Sequence, residues 1–473
     1  MSQGRVQLLE VDDTPRPETG VRAAEAAANR AARAFWSWSS TSPKDRVDLL
    51  KSMADQLHKG RNDLASLAAD EVGASIQWTH FNVNIAEDIL LQACDLVPLL
   101  ADQVHNHEDG VRKSIVRRQA VGVVLGFAPW NAPVALATRA LAAPIACGNT
   151  VVLKASEHCP RTHRAVVDLF IKAGLPTDVA SVVTNDAKDS LDVARALIRH
   201  PAVRRINFTG STRVGRLVAQ EAATELKRCV LELSGKAPFI VLDDADIDAA
   251  AAAAMVGAFF NQGQVCMSTE RVLVQDSIAD KFVDTLIAKT ARLKAADPKF
   301  ETADLGRLIN SDAAARVTGL IDDAVAHGAI LRIGGQVDGS VMQPAVLDHI
   351  TPKMRIYSEE SFGPVAAITR VRDPEEAISV ANDTEFGLAG AVFGADIDRC
   401  HEVANRLETG ICQINGPTVF DDPTMPFGGM KSSGYGRFGG TAALDEFTEC
   451  RWLSQHLSPD ATQIEEMLNL GRT

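Results

Sequence analysis

The sequence predicts an α/β fold with parallel sheets covered on both faces by helices. Two observations carry that prediction. Apolar runs of strand length alternate with helix-length segments from about 113 to 235, and a second series of the same kind starts after Gly235. Parallel neighbours need a crossover between them, usually a helix, so both faces of each sheet are buried and each strand is a continuous apolar run. A third observation bounds the size: 473 residues exceed what one core comfortably organises, so two or three domains are expected.

In chain order, residues 19–35 are Ala-rich and helical, and 44–69 and 80–101 are two more helices, the last broken near Pro98. The pattern turns β-rich over 113–129. A helix at 133–146, a strand at 150–155, a helix at 160–173, a strand at 179–183, a helix at 188–199 and strands at 203–210 and 227–235 follow. The second series has a strand within 236–246, a helix at 247–262, a strand at 270–275 and a helix at 277–293. After a glycine-rich stretch at 326–350 it resumes with 364–371, 374–383 and 389–394. The boundary between units is placed near 236. The polar tail after about 455 is expected to dock elsewhere or pair with a subunit.

Composition removes several classes. Lys and Arg number 48 against 61 Asp and Glu, a net charge of −13, which argues against nucleic acid or an anionic membrane as partner. The apolar run at 249–260 is too short to span a bilayer, and the N-terminus lacks a basic-then-apolar leader layout, so a cytoplasmic location is expected. The eight cysteines are scattered without a CxxC pair, so neither a disulfide framework nor a metal site is expected.

Four stretches hold residues suited to chemistry. In "FFNQGQVC" (259–266), Cys266 follows a polar turn whose backbone N–H groups can lower a thiol pKa or receive an oxyanion; a core-filling thiol is the plainer reading. In "PWNAP" (129–133), Asn131 sits beyond a strand end, as an oxyanion donor or an Asx turn. In "LELSGKAP" (231–238), Glu232 lies in an apolar run, as a buried base of raised pKa or a solvated edge carboxylate. "FTGSTRVGR" (208–216) places Gly210 and Ser211 at a helix start, where amides can meet a pyrophosphate, but the GxGxxG fingerprint is absent.

Together "PWNAP", "VVLKASEHCP", "FTGSTRVG", "LELSGKAP", "FFNQGQVC", "EESFGPV" and "PFGGMKSSG" resemble the NAD(P)-dependent aldehyde dehydrogenase superfamily, in its order and across nearly the whole chain. Within it the chain looks like the aromatic-aldehyde members. The resemblance implies a modified Rossmann coenzyme domain (1–105 and 121–235), an α/β catalytic domain (236–440) and oligomerisation segments (106–120 and 441–473), in a homodimer or homotetramer. It implies Cys266 as nucleophile, Glu232 as the base for the hydrolytic water and Asn131 as oxyanion donor. It further implies NAD held by Ala128, Trp130, Lys154, Glu157, Gly210, Ser211, Glu360 and Phe362. Trp78, Ala132, Val265, Met267, Phe420 and Phe427 are the implied substrate walls.

Arg139 stands out in the apolar segment "NAPVALATRALAAPIA", on one helix face with 131 and 135. It is expected either at the entrance, pairing with a ring hydroxyl, phenolate or distal carboxylate, or as a solvated or subunit-contact arginine. Two departures from the family pattern are visible. Ser234 replaces a glycine in "LELSGK", with reduced backbone freedom expected, and the usual N-terminal strand motifs are not recognisable.

Overall fold

The structure, a computed structural model, describes residues 20–108 and 112–456. The tail segment 457–473 and the N-terminal stretch 1–19 lie outside the described residues.

One sheet has six strands, in spatial order Gly434–Tyr435, Arg228–Glu232, Val203–Thr209, Val123–Phe127, Thr150–Lys154 and Ala180–Val183. All neighbours run parallel except the short first strand. From Val123–Phe127 the chain moves outward to one side, then returns to lay Val203–Thr209 on the other. That reversal opens a crevice beyond the strand ends.

A seven-stranded sheet follows, in the order Ile330–Ile333, Ala345–Asp348, Val365–Val371, Thr269–Gln275, Ala237–Val241, Ala389–Phe393 and Ile411–Ile414. Only its first pair is antiparallel. The inner strands Ala237–Val241, Thr269–Gln275 and Ala389–Phe393 are buried along their whole length, as helices on both faces require. A separate antiparallel sheet pairs Gln103–Asn106, Arg112–Ala120 and Thr448–His456.

Several elements differ from expectation for local reasons. The helix expected over 44–69 is two, Pro43–Lys59 and Arg61–Val72, meeting at Gly60, where a Cβ would lie 2.8 Å from Leu169 Cδ1. The helix expected to reach 262 stops at Phe259, because Asn261, Gln262 and Gly263 turn left-handed. Helices Ser311–Ala326 and Ile397–Ala404 and strand Ile411–Ile414 occupy stretches left unassigned. Two short strands fall across the expected division of the chain. Gln103–Asn106 belongs to the three-stranded sheet, and Gly434–Tyr435 crosses back to the six-stranded one.

That crossing depends on glycine. Gly434 has φ +108, and a Cβ on it would lie 2.0 Å from the Leu231 carbonyl oxygen. Gly434→Ala is expected to destabilise the fold by about 1–3 kcal/mol, read as a lower urea midpoint at constant m-value.

Candidate active site

The site begins as a row of strand ends. Lys154, Phe127 and Phe208 are successive cross-strand partners, and Thr209 pairs with Glu232 one residue further on. The loops after these strands therefore leave the sheet side by side. They carry Asn131, Glu157, Gly210 with Ser211, and Ser234.

Cys266 comes from the other sheet. Its loop is wound by three consecutive left-handed residues, Asn261 (φ 50), Gln262 (φ 57) and Gly263 (φ 70). Non-glycine residues hold such angles only when their surroundings fix them. Here the side chains do so: Gln262 Oε1 accepts from Gly306 N (2.8 Å), its Nε2 donates to Arg307 O (3.1 Å), and Gln264 Oε1 accepts from Ile309 N (3.0 Å). Asn131 Nδ2 donates to Gln264 O (3.0 Å), and Asn261 Nδ2 donates to Asn131 O (2.9 Å), which joins the two loops. Asn131 has a second amide hydrogen for an oxyanion.

Glu232 is 1% exposed, so it is not a solvated edge carboxylate. Burial pushes its carboxyl up to about 7; the adjacent Cys266 thiol and Arg139 pull it down, and Glu360 and Asp421 push it up. Its Oε1 is buried and makes no hydrogen bond. Cys266 is half-buried, and desolvation together with Glu232 raises its thiol well above the usual range. The resting pair is thus a thiol beside a carboxyl that titrates near neutrality. All eight cysteines are free.

Two cavities adjoin these groups. Cys266, Glu232, Asn131, Ser234, Glu360 and Phe362 face one of about 290 Å³. Ala128, Lys154 and Glu157 face a cleft of about 680 Å³, and Trp130, Gly210 and Ser211 line both. At the far end Glu157 accepts from Lys154, Ser190 (2.5 Å) and Asn185 (3.2 Å). Burial alone would raise Glu157; those bonds and the lysine charge bring it down to about 2. Ser211 caps helix Thr212–Thr224, whose positive end opens on the cleft. Glu360 Oε1 accepts from Gly235 N (3.1 Å), and Trp130 packs edge-on against Phe362 at 5.7 Å. Carboxylates for ribose hydroxyls at both ends and a helix N-terminus between them fit a dinucleotide.

Ser234 occupies the glycine position of the family pattern. Its φ is negative, so the backbone does not require glycine. Burial and the Glu270 charge raise the neighbouring Glu360 carboxyl to about 7, against the lowering effect of Ser234, the Gly235 N–H and Lys236.

On the other side of Cys266, Trp78, Val265, Met267 and Phe427 are buried in one apolar cluster, with Ala132 packed against it. Sequence reasoning missed Phe81 and Phe260. Phe81 stacks on Trp78 at 5.7 Å and Phe260 meets it edge-on at 4.7 Å between ring centres. Phe81 follows Trp78 by one helical turn, a spacing that marks a shared face. Phe420 is 56% exposed and does not join this wall. Arg139 is neither a free cation at the entrance nor solvated. It is 7% exposed, donates to Asp421 Oδ2 (2.5 Å) and stacks at 4.2 Å on Phe427. Asp421 lies 282 positions away and gave no local signal.

A thiol, a buried carboxyl and an amide donor at the inner end of a cleft that fits a dinucleotide are the chemistry of a nicotinamide-dependent dehydrogenase. Residues 15–453 match the aldehyde dehydrogenase family, and the chain belongs to it; its reaction is NAD-dependent oxidation of an aldehyde to a carboxylic acid. It is 49% identical over 436 residues to a vanillin dehydrogenase of Pseudomonas fluorescens, covering 92% of this chain and 90% of that one. A salicylaldehyde dehydrogenase of Pseudomonas putida is 44% identical over 430 residues, 90% and 89% of the two chains. The crystal structure of a salicylaldehyde dehydrogenase from Pseudomonas putida G7 complexed with salicylaldehyde superposes with a TM-score of 0.91 at 43% identity, covering 93% and 91%.

Gly263 tests the strained turn. A Cβ there would lie 2.1 Å from Gly363 O at φ +70. Gly263→Ala is expected to displace Cys266 and lower kcat by about 100-fold, with NAD affinity, read by calorimetry, changed far less.

Proposed function

We propose that this enzyme oxidises a hydroxylated aromatic aldehyde, of the salicylaldehyde, vanillin or hydroxybenzaldehyde type, with NAD preferred over NADP. The observation that carries the substrate class is the aromatic wall of Trp78, Phe81 and Phe260 beside Cys266. Flat rings pack edge-on and offset against such walls. The named activities of the similar proteins point the same way. The alternative, an aliphatic semialdehyde held by its distal carboxylate, needs an unpaired cation. Arg139 is already paired with Asp421.

In this reading the Cys266 thiol passes its proton to solvent water as its sulfur adds to the aldehyde carbon. The oxyanion is received by Asn131 and the Cys266 backbone N–H. Bound NAD supplies the hydride acceptor. The resulting thioester on Cys266 is attacked by water whose proton Glu232 takes, releasing the acid. Lys154 and Glu157 hold the adenosine ribose, Ser211 the pyrophosphate side and Glu360 the other ribose. Glu157, ionised far below neutral pH, repels a 2′-phosphate. The three-stranded sheet, with Trp452 70% exposed, is our proposed subunit contact.

Two outcomes are expected. kcat/KM across salicylaldehyde, vanillin, benzaldehyde, hexanal and succinate semialdehyde will rank the hydroxylated rings first and NAD above NADP; a lead for hexanal or the semialdehyde refutes the substrate reading. Glu232 is active as a base only when deprotonated, so kcat, which contains the deacylation step, will rise with pH through about 7 and level off above it. Glu232→Gln will abolish turnover after one acylation, seen as a burst of NADH without a steady state.

A further inference from the structure

Three donors converge on one oxygen of Glu157. Glu157 stands in the loop after strand Thr150–Lys154. Strand Ala180–Val183 runs parallel beside it, with Lys154 opposite Val183. The loops that leave the two strands are therefore neighbours. The second loop carries Asn185 and leads into helix Ser190–Arg199. Glu157 Oε1 accepts from Lys154 Nζ, from Ser190 Oγ at 2.5 Å and from Asn185 Nδ2 at 3.2 Å. Ser190 Oγ also accepts from Lys154 Nζ at 3.0 Å, which closes the group.

The donors differ in place. Lys154 and Ser190 line the dinucleotide cleft with Glu157, and Asn185 lies outside that lining. Asn185 Nδ2 also donates to the Asp186 carbonyl at 2.8 Å, while its Oδ1 is buried with no hydrogen bond. An unpaired buried acceptor is destabilising. Turning the amide round would set that oxygen against the Glu157 carboxylate, so its present direction is the one that serves Glu157.

The charge of Glu157 does not by itself exclude a phosphate. Lys154, Lys188 and Arg213 line the same cleft and would attract one. A glutamate free to change rotamer could turn from a 2′-phosphate and leave those cations to receive it. Rotation of Glu157 breaks all three bonds to Oε1 together, and hydrogen bonds to a carboxylate are of the stronger, charge-assisted kind.

We propose that Asn185, with Ser190, is a positioning residue for coenzyme selectivity: it pins one oxygen of Glu157, so that the carboxylate cannot swing aside for a 2′-phosphate and its other oxygen meets a free ribose hydroxyl. The proposal rests on the place given above to Glu157 at the adenosine ribose. A residue that only shaped its loop would affect NAD and NADP alike. A clamp on Glu157 bears on NADP far more than on NAD.

Calorimetric titration of the full-length enzyme with NAD and with NADP, without aldehyde, reads the clamp. Asn185→Ala is expected to tighten NADP binding about tenfold while the NAD Kd stays within about twofold of wild type. An unchanged or wider ratio of the NADP Kd to the NAD Kd, or a ratio narrowed only by weaker NAD binding, overturns the proposal. Should Asn185→Ala not fold, Ser190→Ala is read against Ser190→Thr, which keeps the hydroxyl. A narrower ratio in Ser190→Ala alone supports the clamp, and equal ratios in the two overturn it. Glu157→Gln removes the charge and must narrow the ratio whatever the clamp does. If it does not, the placement of Glu157 at the ribose is what fails, and the clamp falls with it.

Discussion

Three distant stretches of the chain meet because one lysine and one glutamate cannot be left alone in the interior. Lys236 Nζ is fully buried and donates to Glu270 Oε2 at 2.7 Å and to the Glu359 carbonyl at 2.6 Å. Glu270 in turn accepts from the Ser361 N–H, the Ser361 hydroxyl and the Phe362 N–H. An unpaired charge at that depth is strongly destabilising, whereas a paired and fully hydrogen-bonded one is tolerated. The pair joins the segment after Glu232, the strand after Cys266 and the loop carrying Glu360. Phe362 adopts φ +42 within this frame. The spacing of Cys266, Glu232 and Glu360 is thus set by a charge pair beneath the cavity.

The same economy of partners governs reactivity. Glu232 is surrounded by groups that argue in both directions, with Arg139 and the thiol lowering its pKa and burial, Glu360 and Asp421 raising it. Asp421 also neutralises Arg139, so the arginine acts on Glu232 at reduced strength. Poising near 7 emerges from that balance rather than from any single contact. Ser234 belongs to the same balance, as one of the groups that lower the Glu360 carboxyl against burial and Glu270.

Much of this was legible from sequence because it is local. The parallel architecture followed from apolar runs at strand spacing, whereas local context left Cys266, Glu232 and Asn131 each with a plain structural alternative, and only the ordered motifs that resemble the family singled them out. What was illegible is what tertiary structure alone decides. Whether Glu232 is buried or solvated depends on Gly434 returning from 200 residues away to cover the sheet edge. The fate of Arg139 depends on Asp421, and the rim position of Phe420 on a loop with no periodic signal. The helix Ser311–Ala326, whose Arg316 donates to the carbonyls of Glu360 and Ser361, was hidden by Gly319 and by the irregular glycine-rich segment beside it.

The protonated resting state of Cys266 reaches beyond turnover. Peroxides and disulfides react with thiolates, and a thiol kept neutral by desolvation and a neighbouring carboxyl offers them little. The same burial that holds the Cys266 thiol in its protonated form therefore also makes it a poorer target for oxidation than an exposed thiolate.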